Sequence, residues 1–189
     1  MKKIVSVFAL IISLSGIVVA SGCSSSMTAE ERAARREHQA LVDSVTRNLA
    51  VARLDAGEFL IPARSLQIGS GRNNTYPNDM TNFISAREGK GMFQLASTRG
   101  NRLGANGMGG ITLEGVFSLK KRSTDKRGND QWEYSLGTTL GLCRILVDLP
   151  ASSATARVNV QGSFGPGSFT LTGPVLPYDR SSIAVGRSF

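Results

Sequence analysis

The stretch ITLEGVFSLKK, from Ile111 to Lys121, decides the fold of this chain. Its polar and apolar residues alternate, and successive side chains of an extended backbone point to opposite sides. The positions set to face one side are Ile111, Leu113, Gly115, Phe117 and Leu119, and those set to face the other are Thr112, Glu114, Val116, Ser118 and Lys120. This period of two predicts an antiparallel strand with one face on a core and one face in solvent.

Similar runs fill the chain on both sides of this stretch. ARVNVQGSF sets Val158 and Val160 against polar neighbours, whereas LGLCRILVDL, from Leu140 to Leu149, is apolar on both faces and is predicted to lie in the centre of a sheet. The predicted strands cover residues 58–68, 81–87, 91–96, 111–121, 131–136, 139–148, 156–163 and 168–172. Gly-rich and Asn-rich segments between them predict hairpin connections, so the sheet is expected to be mainly antiparallel.

A different periodicity precedes the strands. Thr28 and Glu31 form a capping-box pattern, and no Gly or Pro follows before Gly57, so we predict a helix over residues 28–56. The apolar positions at helical spacing are Ala34, Leu41, Val45, Leu49 and Ala52, with Val42 beside them. The second half of this helix is therefore expected to dock on the sheet through that stripe.

Together these patterns predict an α+β fold. An N-terminal amphipathic helix packs on a mainly antiparallel sheet of seven or eight strands, which is curved or partly barrel-like. The predicted organisation is a removed leader over 1–22, a polar tether over 23–27, the helix over 28–56 and a β-rich part over 57–189 that forms one globular domain with the helix.

The first residues have the composition of an export signal. Lys2 and Lys3 precede an apolar run that ends at Ala20, and small residues then lead directly into Cys23. This junction resembles a bacterial lipobox, which predicts cleavage between Gly22 and Cys23 and acylation of the Cys23 sulfur. The alternatives are an uncleaved anchor and a buried cysteine. Because Ser24 rather than Asp follows the cysteine, we expect an outer-membrane lipoprotein, and because no acidic run follows immediately, we expect it to face the periplasm.

Five stretches carry a resemblance to a known family. They are ERAARREHQALVDSV, FLIPARSLQIGSGRN, NFISAREGKGMFQLAST, GGITLEGVFSLKKRS and VNVQGSFGPGSFTLTGPV. These stretches resemble small lipoproteins of Bacteroidota that carry a domain of unknown function. The resemblance implies a lipid cysteine, a charged N-terminal helix and a β-rich domain, and it implies no activity.

The charge of the chain limits its partners. Loss of residues 1–22 would leave 167 of the 189 residues and lower the formal charge from +8 to +6. An exported basic protein is not expected to meet nucleic acid, whereas lipid headgroups and envelope glycans are anionic neighbours. The strongest basic cluster is Lys120, Lys121, Arg122, Lys126 and Arg127. It is interpreted as a contact to an anionic surface or, alternatively, as a solvated hairpin tip.

The residues give little support to catalysis. His38 is the only histidine and no paired-cysteine spacing occurs, so no metal site and no cofactor are predicted. Cys143 lies in an apolar run and is predicted to be a buried small hydrophobe. The acids of the strands, including Glu114 and Glu133, are expected to pair with Lys or Arg on the solvent face. Asp43-Ser44-Val45 matches an O-glycosylation triplet, which leaves modification of Ser44 open.

Two functions remain. The first is a non-enzymatic lipoprotein with a structural or accessory role in the envelope, which has an envelope protein or glycan as partner. The second is a binding module that holds a small apolar or glycan ligand on a concave sheet face. The second hypothesis predicts a pocket that the helix does not fill, lined by Phe93, Leu113, Phe117, Leu140 and Leu142.

Overall fold

The computed structural model describes residues 28–69, 77–96, 108–162 and 168–188. The predicted leader, the cleavage site at Gly22 and Cys23, and the tether over 23–27 lie outside the described residues. The chain divides into two compact units, and the boundary lies inside the helix, between Glu37 and His38. The second unit holds the whole sheet.

Helix α1 runs from Ala29 to Ala56, which confirms the prediction of residues 28–56. The capping box forms as expected, because the Thr28 amide donates to Glu31 Oε2 over 2.9 Å and the Glu31 amide donates to Thr28 Oγ1 over 3.2 Å. The helix ends at Gly57, whose φ of 66° suits a residue without a Cβ atom. Both ends were therefore readable from local sequence.

Nine strands follow the helix. They are β1 (Phe59–Pro62), β2 (Ser65–Ile68), β3 (Phe83–Arg87), β4 (Lys90–Leu95), β5 (Ile111–Thr124), β6 (Asp130–Thr138), β7 (Gly141–Leu149), β8 (Thr155–Gly162) and β9 (Ser168–Pro174). Each of the eight predicted runs overlaps a strand, and the first run covers two. All the pairings between these strands are antiparallel, in the order β1-β3-β4-β5-β6-β7-β8-β9-β2.

The chain bends between β1 and β2, and this bend joins the two edges of the sheet. The Ala63 amide donates to the Asn82 carbonyl over 2.8 Å, toward β3, whereas the Arg64 amide donates to the Thr172 carbonyl of β9 over 2.9 Å. Strands β1 and β2 therefore pair with opposite edges. The sheet curls, which confirms the predicted α+β class, with nine strands instead of seven or eight.

Aromatic rings fill the inside of the curled sheet. Phe117 stacks on Tyr134 with 4.6 Å between ring centroids, and Phe59 meets the edge of Phe117 at 5.9 Å. Trp132 and Phe93 are fully buried in the same cluster. Because protein interiors are close-packed, these rings occupy the space that a ligand would need.

Strand β7 differs from its prediction. It lies inside the sheet between β6 and β8, as expected, but only one of its faces is buried. Cys143 is buried, whereas Leu142 is 64% exposed and Arg144 is exposed on the other face. Among the described residues no layer covers the opposite face there, so the apolar run does not give a strand that is buried on both sides. Leu119 of β5 is also more exposed than predicted, next to a β-bulge.

The C-terminal end of α1 is fastened to β5 and β6 by long-range hydrogen bonds. Tyr134 Oη donates to the Leu54 carbonyl over 2.6 Å, and Trp132 Nε1 donates to Asp55 Oδ1 over 2.8 Å. Arg122 Nη1 lies 2.8 Å from Asp55 Oδ2 and its guanidinium lies over the Trp132 ring. Burial, followed by the nearby Asp55 charge, raises the pKa of Tyr134, so its hydroxyl stays a donor.

A second fastening joins α1 to the β5–β6 hairpin. Arg47 Nη2 lies 2.7 Å from Asp130 Oδ2, and the same guanidinium donates to the carbonyls of Gly128 and Pro150. Burial of Asp130 acts to raise its pKa, but hydrogen bonds from Thr124 and Arg47 and the charges of Arg47 and Arg122 outweigh it, so the pKa lies below 3.8. The ionised carboxylate is therefore part of the fold.

Asp130→Asn is expected to lower the free energy of unfolding by about 2 kcal/mol at pH 7, because a charge-assisted hydrogen bond is lost. Because the folded pKa lies below the ordinary value of 3.8, the carboxylate stabilises the fold above about pH 4, and the gain is lost as the pH falls through the folded pKa. Urea unfolding at pH 7 and pH 3 should show less acid destabilisation in the variant.

Asp148→Asn is the matched control for this substitution. Asp148 accepts a hydrogen bond only from Gln131 in the described contacts, over 2.6 Å at the surface, so the variant should stay within about 0.5 kcal/mol of the parent. Equal losses in the two variants would contradict the assignment of Asp130 to the fastening.

The segment after β9 covers part of the outer face of the sheet. Gln94 is buried and its Nε2 donates to the Ala184 carbonyl over 2.7 Å, while its Oε1 accepts from the Gly186 amide over 2.8 Å. Ile183 and Val185 pack against a small cluster that consists of Leu60, Phe83 and Met92. No pattern was predicted for this segment, and a buried glutamine in β4 holds it in place.

Candidate docking surface

Helix α1 has two apolar faces, and only one of them meets the sheet. Ala50 and Leu54 are fully buried on the inner face. The residues on the opposite side, here called the exposed stripe, are Leu41, Val45, Leu49, Ala52 and Ala56. Leu41 is 63% exposed, Val45 58% and Leu49 49%, with Val42 beside them at 44%. These values are high for apolar side chains that recur on one side of a helix.

The prediction that Leu41, Val45 and Leu49 dock on the sheet is therefore wrong. The inner face consists instead of Ala50 and Leu54, with Arg47 one turn earlier. The Tyr134 and Asp130 partners fix the rotation of the helix, and both lie about 80 residues along the chain from their helix contacts. The bulkier apolar face was consequently left outside.

A groove continues the exposed stripe at the C-terminal end of α1. It has a volume of about 480 Å³ and is lined by Leu49, Ala52, Arg53, Ala56, Glu58, Arg87, Pro177 and Tyr178. Its far wall is held in place by the Arg87 guanidinium, which lies 5.5 Å from the Tyr178 ring centroid. Arg53 Nη1 donates to the Val175 carbonyl over 3.0 Å and fixes the floor. The groove is open to solvent rather than enclosed.

The basic cluster is only partly available to a partner. Lys120, Lys121, Lys126 and Arg127 are exposed at the β5–β6 hairpin. Arg122 instead lies against Asp55 and Trp132, so its charge contributes to the fastening of the helix. Four of the five predicted residues therefore remain for contact with an anionic surface.

The residues proposed to line a ligand pocket do not lie together. Phe93, Leu113 and Phe117 are buried in the main core and pack with the other rings. Leu140 and Leu142 are 43% and 64% exposed near the β6–β7 turn, so the prediction that they point inward is wrong. Ala50 and Leu54 of the helix complete the same core.

The side chains with chemical potential have structural surroundings. Cys143 is buried, and burial raises the pKa of its thiol, which disfavours the thiolate. His38 is exposed on the helix. Among the described residues, no group of three or more His, Cys, Asp or Glu side chains is placed to hold a metal ion.

Two surface acids, Glu133 on β6 and Asp125 at the β5–β6 turn, have defined partners. Arg144 Nε lies 2.7 Å from Glu133 Oε1 and its Nη2 donates to Oε2; this hydrogen bond, helped by the charge of Arg144, lowers the pKa of Glu133. Asp125 holds the hairpin turn through Asn129. Glu133 thus pairs with Arg on the solvent face, as predicted. Ser44 is exposed beside Asp43, whose carboxylate accepts from Gln39.

Sequence reasoning missed the groove entirely. Its walls come from the helix, the β3–β4 hairpin and the segment after β9, which are far apart in the chain. The only local signal was that α1 carries more apolar positions than one packed face can use. A helix that is apolar on two sides is either enclosed or has a second partner.

The fold and this surface together define an α+β protein with a packed sheet interior and an exposed helix face. A solved DUF4251 family protein from Bacteroides eggerthii DSM 20697 is similar, with 32% sequence identity and a TM-score of 0.61. The match covers 72% of this chain and 91% of that chain. The chain therefore belongs to the DUF4251 family, which confirms the resemblance to a Bacteroidota family with a domain of unknown function.

No protein-family model matches the chain, and no curated protein matches it. Within the described ranges, none of the helices combines the length and the hydropathy that a membrane crossing requires.

Proposed function

We propose that this protein is a non-enzymatic lipoprotein of the outer membrane that faces the periplasm and has an accessory role in the envelope. Acyl chains on Cys23 would hold it at the membrane, since two or more chains give stable anchoring. The exposed stripe of α1 and its groove would receive a partner. The observation that carries the accessory role is the exposure of Leu41, Val45 and Leu49 on the side of the helix opposite the sheet.

The contrast between the two faces of α1 supports a docking role. The inner face is fastened by Arg47, Leu54 and Asp55, so the helix keeps its orientation without help from the exposed stripe. Apolar side chains at i, i+4, i+8 and i+11 form a continuous ridge, and its exposure to water is unfavourable in free energy. Burial of this ridge against a partner would contribute a favourable hydrophobic free energy that the isolated domain lacks.

The basic hairpin supports a location beside an anionic surface. Lys120 and Lys121 lie on β5 and Lys126 and Arg127 lie at the hairpin tip, and all four are exposed. Headgroups and envelope glycans carry the opposite charge, so these residues would add a weak, salt-dependent attraction. Neither contact requires an active site.

Cys23→Ser is expected to abolish incorporation of an alkyne-tagged palmitate into the full chain expressed in a Bacteroides host. The serine cannot carry the thioether-linked lipid, so the protein should move from the membrane fraction to the soluble fraction. The measurement is in-gel detection of the tag, together with fractionation after cell breakage.

Cys143→Ala is the matched control, since it removes the other of the two cysteines in the sequence. Cys143 is buried in the core and should not be acylated, so this variant should keep the tag and the membrane fraction. Loss of the tag in the Cys143 variant and its retention in the Cys23 variant would overturn the proposed anchor.

A further inference from the structure

We infer that the exposed stripe of α1 binds the same stripe of a second copy, and that the two helices pair in parallel. This inference rests on the proposed function, because it takes both copies to be anchored in one membrane. It names the partner of the docking surface as another molecule of this chain.

The charge along the stripe argues for a second copy. Between His38 and Ala56 the helix carries two acids, Asp43 and Asp55, and two bases, Arg47 and Arg53. Interfacial membrane helices have polar faces rich in Lys and Arg, and strongly charged partners need an opposite charge to meet. This part of the helix has neither a polar face rich in Lys and Arg nor a net charge. The identical neutral stripe on another copy would not repel it.

The borders of the stripe favour the parallel orientation. Arg53 and Asp55 lie on opposite sides of the line through Leu49, Ala52 and Ala56. In a parallel pair, opposite borders of the two helices face each other, so Arg53 of one copy meets the border on which Asp55 of the other is paired with its own Arg122, and not a second Arg53. In an antiparallel pair, like borders meet. Ala52 and Ala56 also leave room for close approach of the backbones.

The groove fits this arrangement. A second helix that lay along the stripe would rest between α1 and the wall formed by Arg87, Pro177 and Tyr178. A two-fold axis parallel to the helices would place each helix in the groove of its partner, which is an isologous contact. The two sheets would then lie on the outer sides of the helix pair, because the sheet contacts α1 through Ala50 and Leu54.

The size of the seam explains why membrane anchoring matters. Leu41 to Ala56 spans about 22 Å of helix. Two ridges of this length bury less area than the roughly 1,200–2,000 Å² that stable interfaces bury. The association of two copies that are not anchored is therefore expected to be weak. Confinement of two anchored copies to one surface raises their effective concentration and makes a weak seam sufficient.

Variants of the full chain that carry one added cysteine test the inference, each with Cys143→Ala so that the added thiol is the one free to oxidise. Leu41→Cys, Val45→Cys and Ala52→Cys place a thiol along the stripe, while Val116→Cys and Leu142→Cys place one on the outer sheet face, where the parent side chains are 69% and 64% exposed. After mild oxidation of intact cells, membranes are run on non-reducing gels. In a parallel in-register pair each stripe residue faces its own counterpart, within the roughly 7 Å that a disulfide tolerates between Cα atoms.

We expect covalent dimers at all three stripe positions, in roughly tenfold excess over the two sheet controls, because only the stripe positions would lie within disulfide reach of their counterparts. Adding Val45→Glu to the Leu41→Cys chain should abolish the cross-link, because two carboxylates would meet in the seam. Dimers at only one stripe position would indicate an antiparallel pair and overturn the inference. Equal cross-linking of stripe and sheet positions, or none at the stripe, would overturn it as well.

The same gels separate this inference from the proposed function. Alkyne-palmitate on each variant reports the anchor, and the disulfide reports the pair. A tagged protein without stripe dimers would refute the pairing and leave the lipoprotein intact. An untagged protein would refute the anchor, whatever its oligomeric state.

Discussion

Gly173→Ala is expected to lower the free energy of unfolding by about 3 kcal/mol, the upper end of the usual cost of overpacking. A Cβ atom at Gly173 would lie 1.8 Å from the Pro62 carbonyl oxygen and 2.9 Å from its carbon. Both atoms belong to backbone, which moves less readily than a side chain. This is the place where the last strand, β9, crosses the bend between β1 and β2, so the clash would separate the two edges of the sheet.

Urea unfolding followed by far-ultraviolet circular dichroism measures this loss. Gly137→Ala is a matched control on the same sheet, because the nearest atom to its added Cβ, the Val116 carbonyl oxygen, is 3.9 Å away. That variant should stay within about 0.5 kcal/mol of the parent. If the two alanine variants were equally stable, the proposed closure at Pro62 and Gly173 would be wrong.

Trp132→Ala is expected to cost about 4 kcal/mol, as is usual when a large aromatic side chain is removed from a core. Trp132 is fully buried, receives the Arg122 guanidinium on its ring at 5.3 Å and donates to Asp55. The substitution leaves a cavity and loosens the end of α1 at the same time. Because Trp132 is the only tryptophan, circular dichroism rather than fluorescence must report the unfolding.

Trp132→Phe separates the two contributions. It keeps an aromatic ring in the core but removes the indole donor to Asp55, so a loss of about 2 kcal/mol is expected. Leu142→Ala, at a surface position of the neighbouring strand, serves as the control and should change little. A Phe variant as unstable as the Ala variant would show that the hydrogen bond, and not the ring, carries the effect.

The buried face and the exposed stripe of helix α1 are made by different residues. An amphipathic helix on a sheet is ordinarily explained by its one buried face. In α1 the buried face is made by the smaller residue Ala50 together with Leu54, while Leu41, Val45 and Leu49 face away from the sheet. The stability of the fold and the proposed docking role therefore depend on different residues, and they can be altered separately.

Much of the fold could be predicted because its signals are local. The capping box at Thr28 and the stop at Gly57 bound the helix through bonds within a few residues. Several strands are recognisable from the alternation of polar and apolar residues, as β5 is from Leu113 and Phe117. The candidate surface could not be predicted in the same way, since its groove joins residue 49 to residue 178.

The sequence by itself determined the elements, the class of fold and the family. Periodicity and caps act over one or two turns of chain, so Thr28, Gly57 and the alternation after Ile111 are enough to locate the helix and a strand. Only the tertiary structure decided which side of α1 meets the sheet. That choice depends on Tyr134 and Asp130, which reach the helix from some 80 residues away. Both sides of α1 are apolar enough to pack, so periodicity cannot choose between them, whereas the positions of two distant hydrogen-bond partners can.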